Sequence, residues 1–171
     1  MINLIRTMMM CWMVACSTLA YAQVPNLTLT STAFLADGSI PSKYTCKGEN
    51  VNPPLEISYV PVYTKSLVLV VHDPDAQGSD FIHWVVYNID PMTKHIAENS
   101  APGKQLINNF HQFDYSGPCP PNGLTHHYVF DLYALDKSFV MNENGTLEGL
   151  MRMMQGHVLA KTQLVGLYPK S

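Results

Sequence analysis

Charge is scarce in this 171-residue chain: ten Lys and Arg stand against thirteen Asp and Glu, 13% of all residues together. No basic run exists, which argues against a nucleic-acid or anionic-membrane binder. With 47% hydrophobic residues and so few charges, disorder is excluded as well. The catalytic signatures of common enzymes are missing: no G-x-S-x-G elbow, no H-E-x-x-H helix, no phosphate-binding glycine loop, no dinucleotide fingerprint. Without a C-x-x-C pair a structural zinc knuckle is out. Repeats and low-complexity tracts are absent too, and the length fits one domain.

What is present begins with an address. Residues 1–22 carry Arg6, an apolar stretch from Met8 to Ala15, and Ala20-Tyr21-Ala22 before Gln23, the layout of a secretory signal peptide. The stretch is too short for a membrane helix, which needs roughly 20 apolar residues. The expectation is a periplasmic or secreted protein cleaved near Ala22-Gln23, with a lipid anchor at Cys16 as the minor alternative. The mature domain is then 23–171. Cleavage leaves only Cys46 and Cys119, either bridged in an oxidising compartment or buried as free thiols.

Short runs of β-branched and aromatic residues alternate with Pro, Gly and Asn clusters, which predicts strands and turns. Leu27–Phe34 alternates apolar and hydroxyl residues. Leu67–Val71 is continuously apolar, hence a strand buried on both faces. His83–Ile89, His127–Leu135 and Val158–Leu167 read as further strands. In His127–Leu135, Tyr128, Phe130, Leu132 and Ala134 share one face. Twelve prolines exclude long helices through the middle. One helix is expected, capped by Thr146, with Leu147, Leu150, Met151 and Met154 on one face and Gly156 ending it. The pattern predicts a mainly β sandwich with a peripheral helix.

Two segments concentrate polar chemistry: His72-Asp73-Pro74-Asp75-Ala76 with Phe81-Ile82-His83-Trp84, and Tyr115-Ser116-Gly117-Pro118-Cys119 with His126-His127-Tyr128. Asp73 ends an apolar strand, where a carboxylate is costly unless hydrogen-bonded. His83 and His126 are donors to an anion when protonated, and Tyr128, two residues after His126, adds a hydroxyl on the same face. Gly117 has no Cβ to keep a ligand from its backbone N–H. Together they predict a donor-rich pocket of phosphate size, with Asp73 either orienting a histidine or meeting a ligand ammonium.

The same residues carry a family resemblance. Asp73-Pro74-Asp75-Ala76 with His83-Trp84-Val85-Val86-Tyr87-Asn88-Ile89 resembles the central signature of the phosphatidylethanolamine-binding protein family. Ser116-Gly117-Pro118-Cys119-Pro120-Pro121 with His126-x-Tyr128 is similar to its second signature, in the bacterial Raf-kinase-inhibitor-like branch. Tyr44-Thr45-Cys46-x-Gly48-x-Asn50, Pro53-Pro54-Leu55 and Gly156-His157-Val158-Leu159-Ala160 match that branch too. The resemblance implies a two-sheet antiparallel β-sandwich with a Greek-key core and a short C-terminal helix. It also implies no cofactor or metal, no enzymatic activity, and a pocket for phosphate-like groups, phospholipid head groups among them. That pocket falls on Asp73, Asp75, Phe81, His83, Gly117, Pro118, His126 and Tyr128. Gln77, His127 and Ile57 stand where the family often has Pro, Arg and Trp.

Two other classes compete with an anion binder. One is an interaction module that inhibits a kinase or protease, as some family members do. The other is a metal or hydrolytic site built from His83, His126, Cys119 and Asp73. It lacks a suitably placed axial Met, and it loses its thiolate if Cys119 is bridged.

Overall fold

The computed structural model describes residues 26–120, 124–142 and 145–168. The signal peptide read over residues 1–22, its exit at Ala22-Gln23, and Cys16 lie outside these residues.

Among the described residues, besides a 3-10 helix at Ser42–Tyr44, nine strands and one α-helix follow in the order β1 (Thr28–Ser31), β2 (Gly38–Ser39), β3 (Leu55–Ser58), β4 (Ser66–Asp73), β5 (Phe81–Ile89), β6 (His95–Ile96), β7 (Lys104–Gln105), β8 (His127–Leu135), α1 (Leu147–Met154) and β9 (Val158–Leu167). They form a three-stranded sheet, β1-β3-β6, and a six-stranded sheet, β2-β9-β8-β4-β5-β7. Pairing is antiparallel except for the two-residue contact of β2 with β9. In the large sheet β8 returns to lie beside β4, giving the Greek-key order β8-β4-β5-β7, while β6 is diverted to the small sheet.

The apolar run of β4 is central to the large sheet and buried on both faces, as its pattern predicts. Leu67, Leu69 and Val71 pack with Trp84, Phe130, Leu132, Leu29, Leu55 and Ile57 in the core between the sheets. Val68 and Val70 face the other way, into a second core with Val85, Tyr133, Leu135 and the helix residues Leu150 and Met154. Burying each such side chain contributes about 1.5–3 kcal/mol.

Two expectations need correction. The first strand is shorter than Leu27–Phe34, because the Ser31 hydroxyl donates to the Pro54 carbonyl at 2.7 Å and accepts the Ala33 N–H at 3.1 Å, turning the chain away from the ladder. The helix begins as expected, with the Thr146 hydroxyl accepting the Gly149 N–H at 3.1 Å, and Gly156 stands at φ 77° beyond its end. Its buried stripe is narrower than four residues, however. Leu150 and Met154 are buried and Leu147 is partly so, but Met151 is 37% exposed, at the margin of a two-turn helix lying on a sheet.

Candidate functional site

Asp73 is the last residue of β4, and His126 immediately precedes β8, the strand paired with β4. That pairing carries two stretches 53 residues apart into contact: the His126 Nδ1 lies 2.7 Å from an Asp73 carboxylate oxygen. The second Asp73 oxygen accepts the Asp75 N–H at 2.9 Å. Both side chains are buried, so the carboxylate has the partners that burial demands. Of the two roles open to Asp73, the geometry shows it orienting a histidine.

His83 reaches the same place through a fault in β5. Val71 pairs with Trp84 and His72 with Ile82, which leaves His83 as a bulge with no opposite residue on β4. Strict alternation would put His83 with Val85, on the helix-covered face. The bulge turns it to the side of Tyr128, its ring centroid 5.1 Å from that of Tyr128 and 5.4 Å from that of Phe81. Its Nδ1 donates to the Ser116 carbonyl at 2.5 Å. Burial pushes its pKa down, against the opposing pull of the Ser116 carbonyl and the Asp73 carboxylate. Behind it, the buried Asn108 amide donates to the His83 and Asp114 carbonyls and to the Ser116 hydroxyl, at 2.9–3.0 Å. The Asn108 side-chain oxygen accepts the Phe110 N–H at 2.9 Å, fixing the loop that brings Phe110 against Phe81.

These side chains border a cavity of about 230 Å³. Asp73, Phe81, His83, His126 and Tyr128 line it, together with Ala76, Gln77, Phe110, Cys119, Pro120 and Leu124. The Tyr128 hydroxyl is buried and has no hydrogen-bond partner among the described residues. Burial and the Asp73 carboxylate push its ionisation far upward, so it remains an O–H.

Three expected site residues are not among the described residues that line the cavity. Asp75 turns outward and accepts both the His127 N–H, at 2.8 Å, and the His127 Nδ1–H, at 2.7 Å. Gly117 spends its N–H on the Asn50 side-chain oxygen at 2.8 Å, and a Cβ there would stand 2.3 Å from the Tyr44 carbonyl oxygen. The glycine is required by that close approach, not by a ligand. Pro118 accepts the Cys46 N–H at 3.1 Å. Cys46 and Cys119 are joined in a disulfide with a Cα–Cα distance of 5.5 Å. Both are exposed, so the alternative of buried free thiols is excluded on two counts.

Sequence reasoning did not select Phe110, Leu124 or the Asn108 hub. Only the tertiary fold brings the loop after β7 to the mouth of the cavity. Among the described residues no group of three or more His, Cys, Asp or Glu is placed to hold a metal ion.

The family model described as phosphatidylethanolamine-binding protein matches residues 30–169. The chain belongs to this family. A UPF0098 protein of Methanothermobacter thermautotrophicus is 41% identical over 149 residues, 83% of this chain and 98% of the relative. A UPF0098 protein of Chlamydia trachomatis is 41% identical over 150 residues, 84% of this chain and 99% of the relative. Two solved structures share the fold. A phosphatidylethanolamine-binding protein homologue of Chlamydia trachomatis superposes with a TM-score of 0.81 at 40% identity, covering 85% of this chain and 99% of that one. Escherichia coli YbcL, described as a new member of the mammalian family, gives 0.77 at 26% identity, covering 86% and 100%.

Within the phosphatidylethanolamine-binding protein family this chain's three departures take definite places. Gln77 lines the cavity, Ile57 is buried between the sheets, and His127 pairs with Asp75 outside the cavity.

Proposed function

We propose that the chain is an exported, non-enzymatic binding protein whose domain, residues 23–171, holds a small phosphate-type anion in the cavity between β4, β5 and β8. The observation that supports this reading is the small cavity that Tyr128, whose buried hydroxyl lacks a hydrogen-bond partner among the described residues, lines beside the Asp73-held His126. A buried polar group left unpaired costs about 1–3 kcal/mol, and a ligand oxygen would remove that cost. The volume, about 230 Å³, lies below the roughly 300–1,000 Å³ of sites for drug-sized ligands, and suits a head group or an inorganic anion.

The non-catalytic reading rests on what the described lining offers a substrate. His126 and Asp73 have the arrangement of a base and its orienting carboxylate, but no serine or free thiol lines the cavity beside them, and Cys119 is oxidised. Export is supported by the signal-like residues 1–22 and by an exposed disulfide, which persists in oxidising compartments.

Isothermal titration of the protein with inorganic phosphate tests the reading, with Tyr128→Phe as the comparison. Wild type is expected to bind in the millimolar range, since few charge-assisted contacts are available. Tyr128→Phe is expected to keep its fold and lose about 3- to 10-fold in affinity, the worth of one neutral hydrogen bond. Identical isotherms for the two proteins would remove the hydroxyl from the site and end the assignment.

A further inference from the structure

We propose a second small-molecule site, at the end of the sandwich opposite the cavity described above, that takes an aromatic carboxylate. It stands apart from the phosphate-type reading and does not depend on it.

β4 and β5 set its position. Asp73 and Phe81 lie at the cavity end of this antiparallel pair, and the strands extend from there to Ser66 and Ile89. At about 3.3 Å per residue, the chain before Ser66 and the chain after Ile89 meet roughly 20 Å away. Between them lies a groove of about 480 Å³, within the roughly 300–1,000 Å³ of ligand sites. Residues 59–62 and 64 form one wall and residues 91–94 the other, with Ile57 and Ser58 between.

The walls are apolar although they face water. Tyr59, Val62 and Met92, and Tyr63 beside Val62, are each more than half exposed. Scattered singly such residues are ordinary, but gathered in two neighbouring loops they make a patch. The Tyr59 backbone is in the left-handed region at φ 56°, a strained conformation for a bulky side chain. Strain of this kind persists only where the surrounding structure enforces it, and here it holds an aromatic ring at the groove.

Both walls are fixed in advance. The Pro61 carbonyl accepts the Thr64 N–H at 3.1 Å. Asp90 accepts the Thr93 N–H through its carbonyl at 2.9 Å and the Met92 N–H through its carboxylate at 2.8 Å. A ligand entering such a groove loses little affinity to ordering the loops.

One charged side chain, Lys94, is among the described residues that line the groove. The Ile57 N–H donates to the Lys94 carbonyl at 2.9 Å, continuing the register in which Glu56 stands opposite His95. Opposite residues share a face, so Lys94 lies on the Ile57 side, toward the groove, while Glu56 and His95 pair with each other on the other face at 2.8 Å. Among the described residues the ion pairs of lysines belong to Lys43 and Lys161, and Lys94 is in none. The complement of this lining is an apolar body with one negative charge. A ring offers the largest contact for the fewest rotatable bonds and suits walls of tyrosine, proline and methionine, and a carboxylate on a short arm meets the ammonium.

The test is a chemical-shift titration of the isotopically labelled protein with phenylacetate and with phenylacetamide, its neutral isostere, at low ionic strength. Phenylacetate is expected to bind in the millimolar range, as its size allows, and to shift the amides of residues 57–64 and 92–94. It is expected to bind about 3-fold more tightly than the amide, the worth of an exposed ion pair. Lys94→Met should erase that preference and leave phenylacetamide binding unchanged. Tyr59→Asn, which places a residue tolerant of the left-handed region there, should keep the fold and weaken both probes at least 3-fold. Inorganic phosphate should leave the phenylacetate titration unaltered, whether or not it binds elsewhere. No shifts at about 20 mM probe, shifts confined to residues 81–83 and 126–128, competition by phosphate, or equal affinity for acid and amide would each overturn the site as proposed.

Discussion

Asp73–His126 and Asp75–His127 are neighbours in sequence, span the same two stretches of chain, and close at the same 2.7 Å. Their surroundings separate them. The side chains of the first pair are 5% and 6% exposed, those of the second 42% and 54%. In water the attraction of an ion pair is nearly cancelled by solvation and by the freedom lost in holding two side chains together. In the interior the desolvation of each partner has already occurred, so removing either strands the other. One chemical pattern thus serves as a structural, cavity-lining element in one place and as a loop tether at the rim in the other. The pairs are also linked, because the Asp73 carboxylate accepts the Asp75 N–H.

The strongest way to break the contrast is Asp73→Ala. It is expected to destabilise the protein by about 3–5 kcal/mol in urea unfolding at pH 7, because His126 loses its carboxylate partner while remaining buried. A cost below about 1 kcal/mol would mean that the buried pair behaves like a surface one.

A third His–Asp contact lies between these extremes. His72, with a 16% exposed side chain, is 2.7 Å from Asp80, at the end of the loop that supplies Ala76 and Gln77 to the cavity. Burial lowers its pKa, but hydrogen bonds to Asp131 and Asp80 prevail and raise it. A raised folded-state pKa stabilises fully below the unfolded value, near 6.5, and the effect is lost as pH rises through the folded value. His72→Gln is therefore expected to cost roughly 1 kcal/mol at pH 6 and less at pH 8, read from unfolding midpoints at both pH values. A penalty that grows with pH would contradict this sign.

The smallest effect is expected from Asp75→Ala, about 0–1 kcal/mol at pH 7 after allowance for solvent screening. The His127 backbone N–H, then its side chain, hold the Asp75 carboxyl below its usual range. Its contribution is present above the unfolded value and lost as pH falls through the folded one. Wild type and variant should therefore converge in strong acid, which acid unfolding curves at pH 2–4 would reveal.

Much of this organisation was legible in the sequence because it follows from periodicity. The double-sided burial of Leu67–Val71, the alternation of Tyr128 through Ala134, and the Thr146 cap are local patterns with local causes. His83 is the instructive exception. Alternation along β5 assigns it to the wrong face, and only the bulge opposite β4, a property of the pairing, returns it to the cavity. Gly117 shows the reverse: its missing Cβ suggested room for a ligand, whereas in the structure it makes room for the Tyr44 carbonyl. Phe110 was illegible because its position depends on Asn108, whose side-chain hydrogen bonds tie the loop over residues 110–116 together and to His83 on β5. The Asp73–His126 contact needed the β4–β8 pairing, which no single segment announces.

The bond between Cys46 and Cys119 has a practical consequence. It ties two loops 73 positions apart at the wall of the cavity, with both half-cystines open to solvent. Material produced in a thiol-rich cytoplasm, or stored with a reducing agent, would lack this brace, because exposed disulfides are the more readily reduced ones. Assays on such preparations would sample a looser mouth and understate affinity, so free-thiol titration belongs before any ligand measurement.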